Sequence, residues 1–295
     1  MVTGPAQRAA GSGRPKPYIN GTTTLGMGGL PPIGLGTWQN VDEKQCIESV
    51  LAAVEIGYRH IDTAQYYGNE ELVGEGIDRS DVAREELFVA TKVHPESCGL
   101  GYEEVLEGIK ASLDRLGLDT LDLVYVHWPV GNYDPGETLP ALDEAVDRGL
   151  IEHVGVSNFS IRQVEEAQDH LDAPLFAQQV ECHPLLPQED LIAHSRAHDY
   201  RFVAYSPLAR GGVFDVPEVQ TAARKHGVSE ARVSLAWLVS KENVHAIPKA
   251  SSVAHIEDNY GALELELDDE DVERIDGIDR EERFVERDGA PWLTG

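Results

Sequence analysis

The chain has 295 residues, 41% of them hydrophobic, and carries 52 acidic against 24 basic side chains for a net charge of -28. That length and apolar content suffice for one large core, while so negative a surface repels phosphate backbones and anionic lipid, excluding nucleic acid and membranes as expected partners. No apolar run approaches the roughly 20 residues that cross a bilayer, and the three scattered cysteines, Cys46, Cys98 and Cys182, contain no CxxC pair, against a disulfide framework or a thiolate metal cage.

Residues 1–17 carry Gly, Pro and Arg but no apolar h-region, and are expected as a flexible tail of a cytoplasmic protein. Residues 18–31, with Gly21 and Gly28-Gly29-Leu30, suggest a short β-hairpin plugging the base of the main domain. From residue 33 onward strand and helix patterns alternate, with strands expected at 33–36, 58–62, 87–93, 121–127, 151–156, 176–181, 201–205 and 244–248. Between them lie amphipathic segments such as 43–56, where Ile47, Val50, Leu51 and Val54 repeat at i, i+3, i+4, i+7. The longer interval before the last strand is expected to hold extra helix or loop. Eight such units predict one α/β domain over 18–295, a (β/α)8 TIM barrel. A doubly wound open sheet is disfavoured, because no Gly-x-Gly-x-x-Gly opens a helix after the first strand.

In such a barrel the active site gathers where strands end at the C-terminal face. Asp62, Lys92 and His127 end the second, third and fourth strands, and Tyr67 lies in the loop after the second. Each alone reads equally well as a cap, a rim residue or a packed ring, but four polar residues converging on one rim point to proton chemistry. A phenol with an ordinary pKa of about 10 is a poor acid near neutrality unless a cation lowers that value. Lys92 is the expected cation, Asp62 its counter-ion, and His127 the group that orients a carbonyl or relays the proton. One Asp, one Lys, one Tyr and one His make no plausible ligand shell, so no catalytic metal is expected.

The segments HIDTAQYYGNE, FVATK, DLVYVHWP, VGVSNF, QQVECHP, AYSPLARG and IPKASS stand in order over almost the whole chain after residue 18. In this the sequence resembles the aldo-keto reductase family, especially its prokaryotic diketogluconate-reductase-like and aldehyde-reductase-like branch. The resemblance implies NAD(P)H-dependent reduction of aldehydes or ketones, with Tyr67 as general acid and Asp62, Lys92 and His127 completing a catalytic tetrad. It implies that Gly36, Thr37 and Asp62 border the cofactor, that Ser157, Asn158 and Gln179 hold the nicotinamide carboxamide, and that Tyr205 stacks on its ring. Ser206 and Leu208 would line the pyrophosphate, Lys249, Ser251 and Ser252 would meet the adenosine-ribose phosphate, and Asp258 and Asn259 would hold the adenine. Where many members carry an arginine for the 2'-phosphate this sequence has His255, and Ala250 replaces a frequent hydroxyl residue. An imidazole can stack but lacks the bidentate fork of guanidinium, so NADPH is favoured through Lys249 while NADH stays open.

Trp38, Tyr66, Trp128, Phe159 and Trp292, with His127, would form an aromatic substrate pocket. Apart from Arg210 no cation is expected to face the substrate, so a strongly anionic substrate is not signalled. The expected partner is a small aldehyde or ketone, and the expected state a monomer.

Other readings fare less well. GVSNF lacks the second glycine of a nucleophile elbow, which disfavours a serine hydrolase. His194 and His198 stand at i, i+4 on an expected helix but lack the Glu of H-E-x-x-H, so they are read as surface residues and a metal hydrolase as a poor second. The alternative from another class is a regulatory or redox-sensing barrel that binds nicotinamide nucleotide with little turnover. The scarcity of lysine and the acid-rich stretch LELELDDEDVER lead to the expectation of an acidic, salt-adapted, halophilic surface.

Overall fold

A computed structural model describes residues 29–293. The expected tail at 1–17, and all but the last residues of the expected hairpin at 18–31, lie outside the described residues.

Eight parallel strands pair in sequence order. They are β1 (Leu35–Gly36), β2 (His60–Asp62), β3 (Phe88–Val93), β4 (Leu121–Val126), β5 (Ile151–Ser157), β6 (Leu175–Glu181), β7 (Arg201–Tyr205) and β8 (Val244–Ala246). The seam between last and first strand is closed by parallel bridges Ile33 to Ala246 and Gly36 to Lys249. Main-chain bonds from Gly34 to Ala246 (2.9 Å) and from Gly36 to the Pro248 carbonyl (3.1 Å) run along it. A Cβ on Gly36 would come within 2.6 Å of the Ile247 carbonyl oxygen, so the seam closes only because that position has no side chain.

The surrounding helices are α1 (Glu43–Ile56), α2 (Glu70–Asp78), α3 (Tyr102–Leu116), α4 (Pro135–Asp147), α5 (Ile161–His170) and α6 (Glu189–Ala197), followed by α7 (Pro217–His226), α8 (Glu230–Val239), α9 (Val253–Tyr260) and α10 (Asp269–Asp276). α1 occupies the span that the 3.6-residue periodicity predicts, capped by the Asp42 carboxylate on the Gln45 N–H (2.9 Å) and ended at Gly57 with φ 126°. The extra structure before β8 is a 3-10 segment (Ala209–Asp215) with α7 and α8. Among the described residues no helix is long and apolar enough to cross a membrane.

Strands buried on both faces read as almost continuous apolar runs, and β3, FVATKV, is buried at every position, its Lys included. Inside the barrel Tyr125 on β4 lies beneath the Lys92 ammonium (5.8 Å to the ring centroid). Gly155 on β5 leaves it room, since a Cβ there would meet the Tyr125 ring at 2.5 Å.

Candidate active site

The C-terminal strand ends surround a cavity of ≈310 Å³ whose wall includes Gly36, Thr37, Trp38, Asp62, Tyr66, Tyr67, His127 and Trp128. Asp62 is fixed from several sides at the end of β2. Its main-chain carbonyl accepts from the Thr37 N–H (3.1 Å) and hydroxyl (3.0 Å), one carboxylate oxygen accepts from Gln179 Nε2 (2.8 Å), and the other from Lys92 Nζ. The Lys92 ammonium also donates to the Thr63 carbonyl (2.7 Å) and stands 5.1 Å from the centre of the Tyr67 ring. Tyr67 ends a 3-10 turn (Gln65–Tyr67) and meets His127 edge-on, ring centroids 5.7 Å apart. Asp62, Tyr67 and His127 therefore line one cavity, and the fully buried Lys92 adjoins it through Asp62 and the Tyr67 ring.

The electrostatics differ from expectation at one point. Burial pushes the Tyr67 phenol well above its ordinary pKa, and the Asp62 carboxylate and Tyr205 push the same way. The net shift at Tyr67 is upward even with the Lys92 ammonium 5.1 Å from its ring, because burial is the largest cause and Asp62 holds that ammonium at close range. Burial pushes the Asp62 carboxyl up and the Lys92 ammonium down, each opposed by their mutual contact. The pair is net neutral whichever partner holds the shared proton. His127 is driven well below its ordinary value by burial, then by Lys92, His94 and Arg287, so it presents a neutral imidazole. At neutral pH the site thus contains a protonated phenol, a neutral imidazole and a compensated ion pair.

The expected cofactor residues divide into three groups. Ser157 and Asn158 stand where β5 ends. The Ser157 hydroxyl donates to the Gln179 carbonyl (2.8 Å), and Asn158 Nδ2 donates to the His127 carbonyl and to Ser157 Oγ (both 3.0 Å). Asn158 Oδ1 accepts from the Tyr205 hydroxyl (2.7 Å), so these groups hold one another in place at the cavity edge. Asn158 (φ 65°), Ser206 (φ 48°), Ala209 (φ 49°) and Arg210 (φ 51°) all adopt left-handed backbone, a concentration of strain typical of functional loops. Asn158, Gln179, Tyr205, Ser206, Arg210, Ile247 and Lys249 continue the cavity wall, whereas Leu208 packs against the core.

At the far end Ser252 caps α9 by accepting the His255 N–H (3.3 Å), and Lys249 Nζ lies 3.3 Å from Ser251 Oγ, with no carboxylate partner among the described residues. Lys249, the serines and His255 thus gather at a helix N-terminus, which suits a phosphate. The Asp258 carboxylate is already engaged by the Ser229 hydroxyl and by Arg232 (3.1 Å), and Asn259 is buried. A wall of amides and an aromatic leading to a cationic helix end fits an amide-bearing, phosphorylated dinucleotide.

Of the expected substrate residues Trp38, Tyr66, His127 and Trp128 line the cavity. Trp38 stacks on Tyr66 at 6.1 Å, and Trp292 adjoins Trp128 from outside at 5.6 Å. Phe159 is not on the wall of this cavity: it is 2% exposed and packs in the core edge-on against Tyr133.

Sequence reasoning missed the C-terminal segment. Val285, Glu286 and Arg287 complete the cavity wall. The Arg287 guanidinium lies over Trp128 (5.6 Å) and Tyr66 (6.0 Å), contacts His94 Nε2 (3.0 Å) and pairs with Glu96. The expectation that only Arg210 could face the substrate is thereby corrected. The segment is tied down by Glu181, which is fully buried and accepts the main-chain N–H of Phe284 (2.7 Å) and of Val285 (3.1 Å). His183 Nε2 lies 3.1 Å from the same carboxylate. The one signal in the sequence was the spacing Arg280, Arg283, Arg287 in an otherwise acidic chain.

Comparison with known proteins agrees with this geometry. The chain matches the aldo/keto reductase family over residues 32–280. It is 39% identical to the glyoxal reductase of Bacillus subtilis (strain 168), over 86% of this chain and 91% of that protein. It is 36% identical to the methylglyoxal reductase DkgB of Escherichia coli O157:H7, over 88% and 97%. Among solved structures it resembles an aldo-keto reductase from a Medee basin deep-sea metagenome library (TM-score 0.83, 32% identity, 88% and 94% covered). It also resembles a thermostable aldo-keto reductase bound to the inhibitor epalrestat (TM-score 0.78, 36% identity, 84% and 94% covered). With the barrel, the ordered motifs and the match over most of its length in agreement, the chain belongs to the aldo/keto reductase family.

Proposed function

We propose that this enzyme reduces small aldehydes, glyoxal-type dicarbonyls among them, with Tyr67 as proton donor and NADPH preferred over NADH. The observation that carries the reading is the placement of a protonated Tyr67 on the cavity wall between the Lys92–Asp62 pair and the neutral His127. A substrate carbonyl in this cavity takes its hydrogen bonds from the Tyr67 hydroxyl and the His127 ring N–H, and the aromatic wall of Trp38, Tyr66 and Trp128 keeps water from the reacting carbon. When bound, the reduced nicotinamide supplies a hydride to that carbon. Tyr67 gives its proton to the developing alkoxide, and the phenolate left behind is stabilised by the Lys92 ammonium beneath its ring. The names of the relatives support the small dicarbonyl class, and Lys249 beside Ser251 and the α9 N-terminus supports the preference for a 2'-phosphate. No observation favours the regulatory reading, and the relatives are named as reductases.

The test is Tyr67→Phe, measured as NADPH oxidation with methylglyoxal beside a fluorescence titration of the cofactor. We expect kcat/KM to fall by about 10² to 10⁴-fold with cofactor affinity nearly unchanged. A variant that keeps most of its rate removes the proton-donor role from Tyr67.

A further inference from the structure

His194 and His198 stand one helical turn apart at the end of α6, a spacing that presents two imidazoles on one side of a helix but supplies no third ligand by itself. The fold supplies it from the neighbouring helix. Glu165 on α5 reaches the same spot, and one ligand atom from each of Glu165, His194 and His198 lies within 4.8 Å of the others.

His194 is prepared for this role from behind. Its side chain is nine-tenths buried, and its Nδ1 lies 2.8 Å from the Tyr200 hydroxyl. When that hydroxyl accepts the Nδ1 proton, the lone pair is left on Nε2, the arrangement that fixes tautomer and ring orientation in metal-bound histidines. Nε2 itself is buried without a hydrogen-bond partner and faces a Glu165 carboxylate oxygen at 3.7 Å. The His198 ring stacks on that of His194, centroids 3.9 Å apart and planes 15° from parallel. A buried ring nitrogen 3.7 Å from a carboxylate oxygen, without a hydrogen-bond partner, is a polar group whose desolvation is incompletely compensated in the protein alone.

We propose that Glu165, His194 and His198 form a binding site for a divalent transition-metal ion of the Zn²⁺ type, stapling α5 to α6 beside the start of β7. Two imidazoles and a carboxylate are the donor set that borderline cations take and that Mg²⁺ and Ca²⁺ do not favour. Tetrahedral coordination at about 2.0–2.2 Å needs ligand atoms about 3.3 Å apart. Glu165 and His198 are exposed and free to turn inward by that amount, while His194 stays fixed as the anchor. The ion contacts none of the residues that line the catalytic cavity, so its effect is on the stability of the outer ring and not on the hydride-transfer site.

The experiment uses the full chain stripped with EDTA and titrated by calorimetry with ZnCl₂ and, separately, with MgCl₂. Thermal melts accompany the titrations, and Co²⁺ serves as a visible-absorbance probe of coordination. We expect one Zn²⁺ per chain with a dissociation constant at or below about 10 µM, a rise in melting temperature at saturating zinc, and a Co²⁺ spectrum of low coordination number. His198→Gln and Glu165→Gln, both at exposed positions that leave the core untouched, should each weaken zinc binding by about tenfold or more. No saturable zinc binding overturns the proposal. So does Mg²⁺ binding as tightly as Zn²⁺, which marks diffuse attraction to the acidic surface. Binding that either variant retains at wild-type strength overturns the three-ligand site as well.

Discussion

Glu181→Gln isolates the anchor that keeps the C-terminal segment against the substrate. In the wild type one buried carboxylate accepts two main-chain N–H groups, those of Phe284 at 2.7 Å and Val285 at 3.1 Å. Hydrogen bonds to a charged acceptor are worth about 1.5–3 kcal/mol each. The amide keeps one acceptor but turns its NH₂ toward the other N–H, so at least one bond, about 2 kcal/mol, is lost from the docked state. At about 1.4 kcal/mol per factor of ten, the undocked fraction of residues 283–287 should rise about 30-fold. Arg280, Arg283 and Arg287 make this readable with trypsin, since cleavage of a transiently opened segment follows its open population. We expect C-terminal cleavage, followed by mass spectrometry, to accelerate by about that factor. KM for an aldehyde should rise while kcat changes little, because Val285, Glu286 and Arg287 form wall and not tetrad. A melting temperature close to wild type separates undocking from unfolding. Wild-type cleavage rate and wild-type KM together would refute the anchoring role of Glu181.

Other outcomes rest on the same geometry. His255→Arg should raise the NADPH over NADH ratio of kcat/KM by about tenfold or more, since a guanidinium can engage the 2'-phosphate with two parallel bonds; an unchanged ratio means that Lys249 and the helix end suffice. With a net charge of -28, melting temperature should climb between low salt and molar KCl as repulsion is screened, and a flat curve would end the halophilic reading. His60, fully buried, has its pKa lowered to about 3 by burial, His245 and Lys92. Because the folded value is depressed, the unfolded chain takes the proton first, and stability is lost as pH falls from about 6.5 toward 3, with a slope of about 1.4 kcal/mol per pH unit for this group. Urea midpoints at pH 7 and pH 5 should therefore diverge less in His60→Phe than in wild type, and equal slopes would remove His60 as a source of acid sensitivity.

The sequence carried the barrel because each strand buried on both faces leaves a run of apolar residues and each helix leaves a 3.6-residue stripe, so β7 and α1 were legible to the residue. The strand ends carried the tetrad for the same reason: Asp62, Lys92 and His127 are polar residues that interrupt or border apolar runs. What escaped was set by main-chain geometry. Phe159, directly after the left-handed Asn158, packs into the core and not on the cavity wall, and no side-chain pattern announces it. The segment ending at Arg287 has no periodicity, and its position depends on a carboxylate more than a hundred residues away. The sign of the shift at Tyr67 was hidden because burial and the position of Asp62, not the presence of Lys92, decide it. Glu165 had no visible link to His194 until α5 and α6 were side by side.

The seam between β1 and β8 sets an order of events during synthesis. Its two edges, and the cavity that spans them through Gly36, Thr37, Trp38 and Lys249, are separated by more than two hundred residues of chain. At about 5–20 residues per second the ribosome holds the first strand waiting for tens of seconds while the nascent sheet grows with both edges open. During that interval the unpaired main-chain groups at residues 33–36 can recruit any extended strand nearby. The same arrangement means that a nascent chain truncated anywhere before residue 244 has neither a closed cylinder nor a complete pocket, and the pocket wall is finished only when residues 285–287 follow.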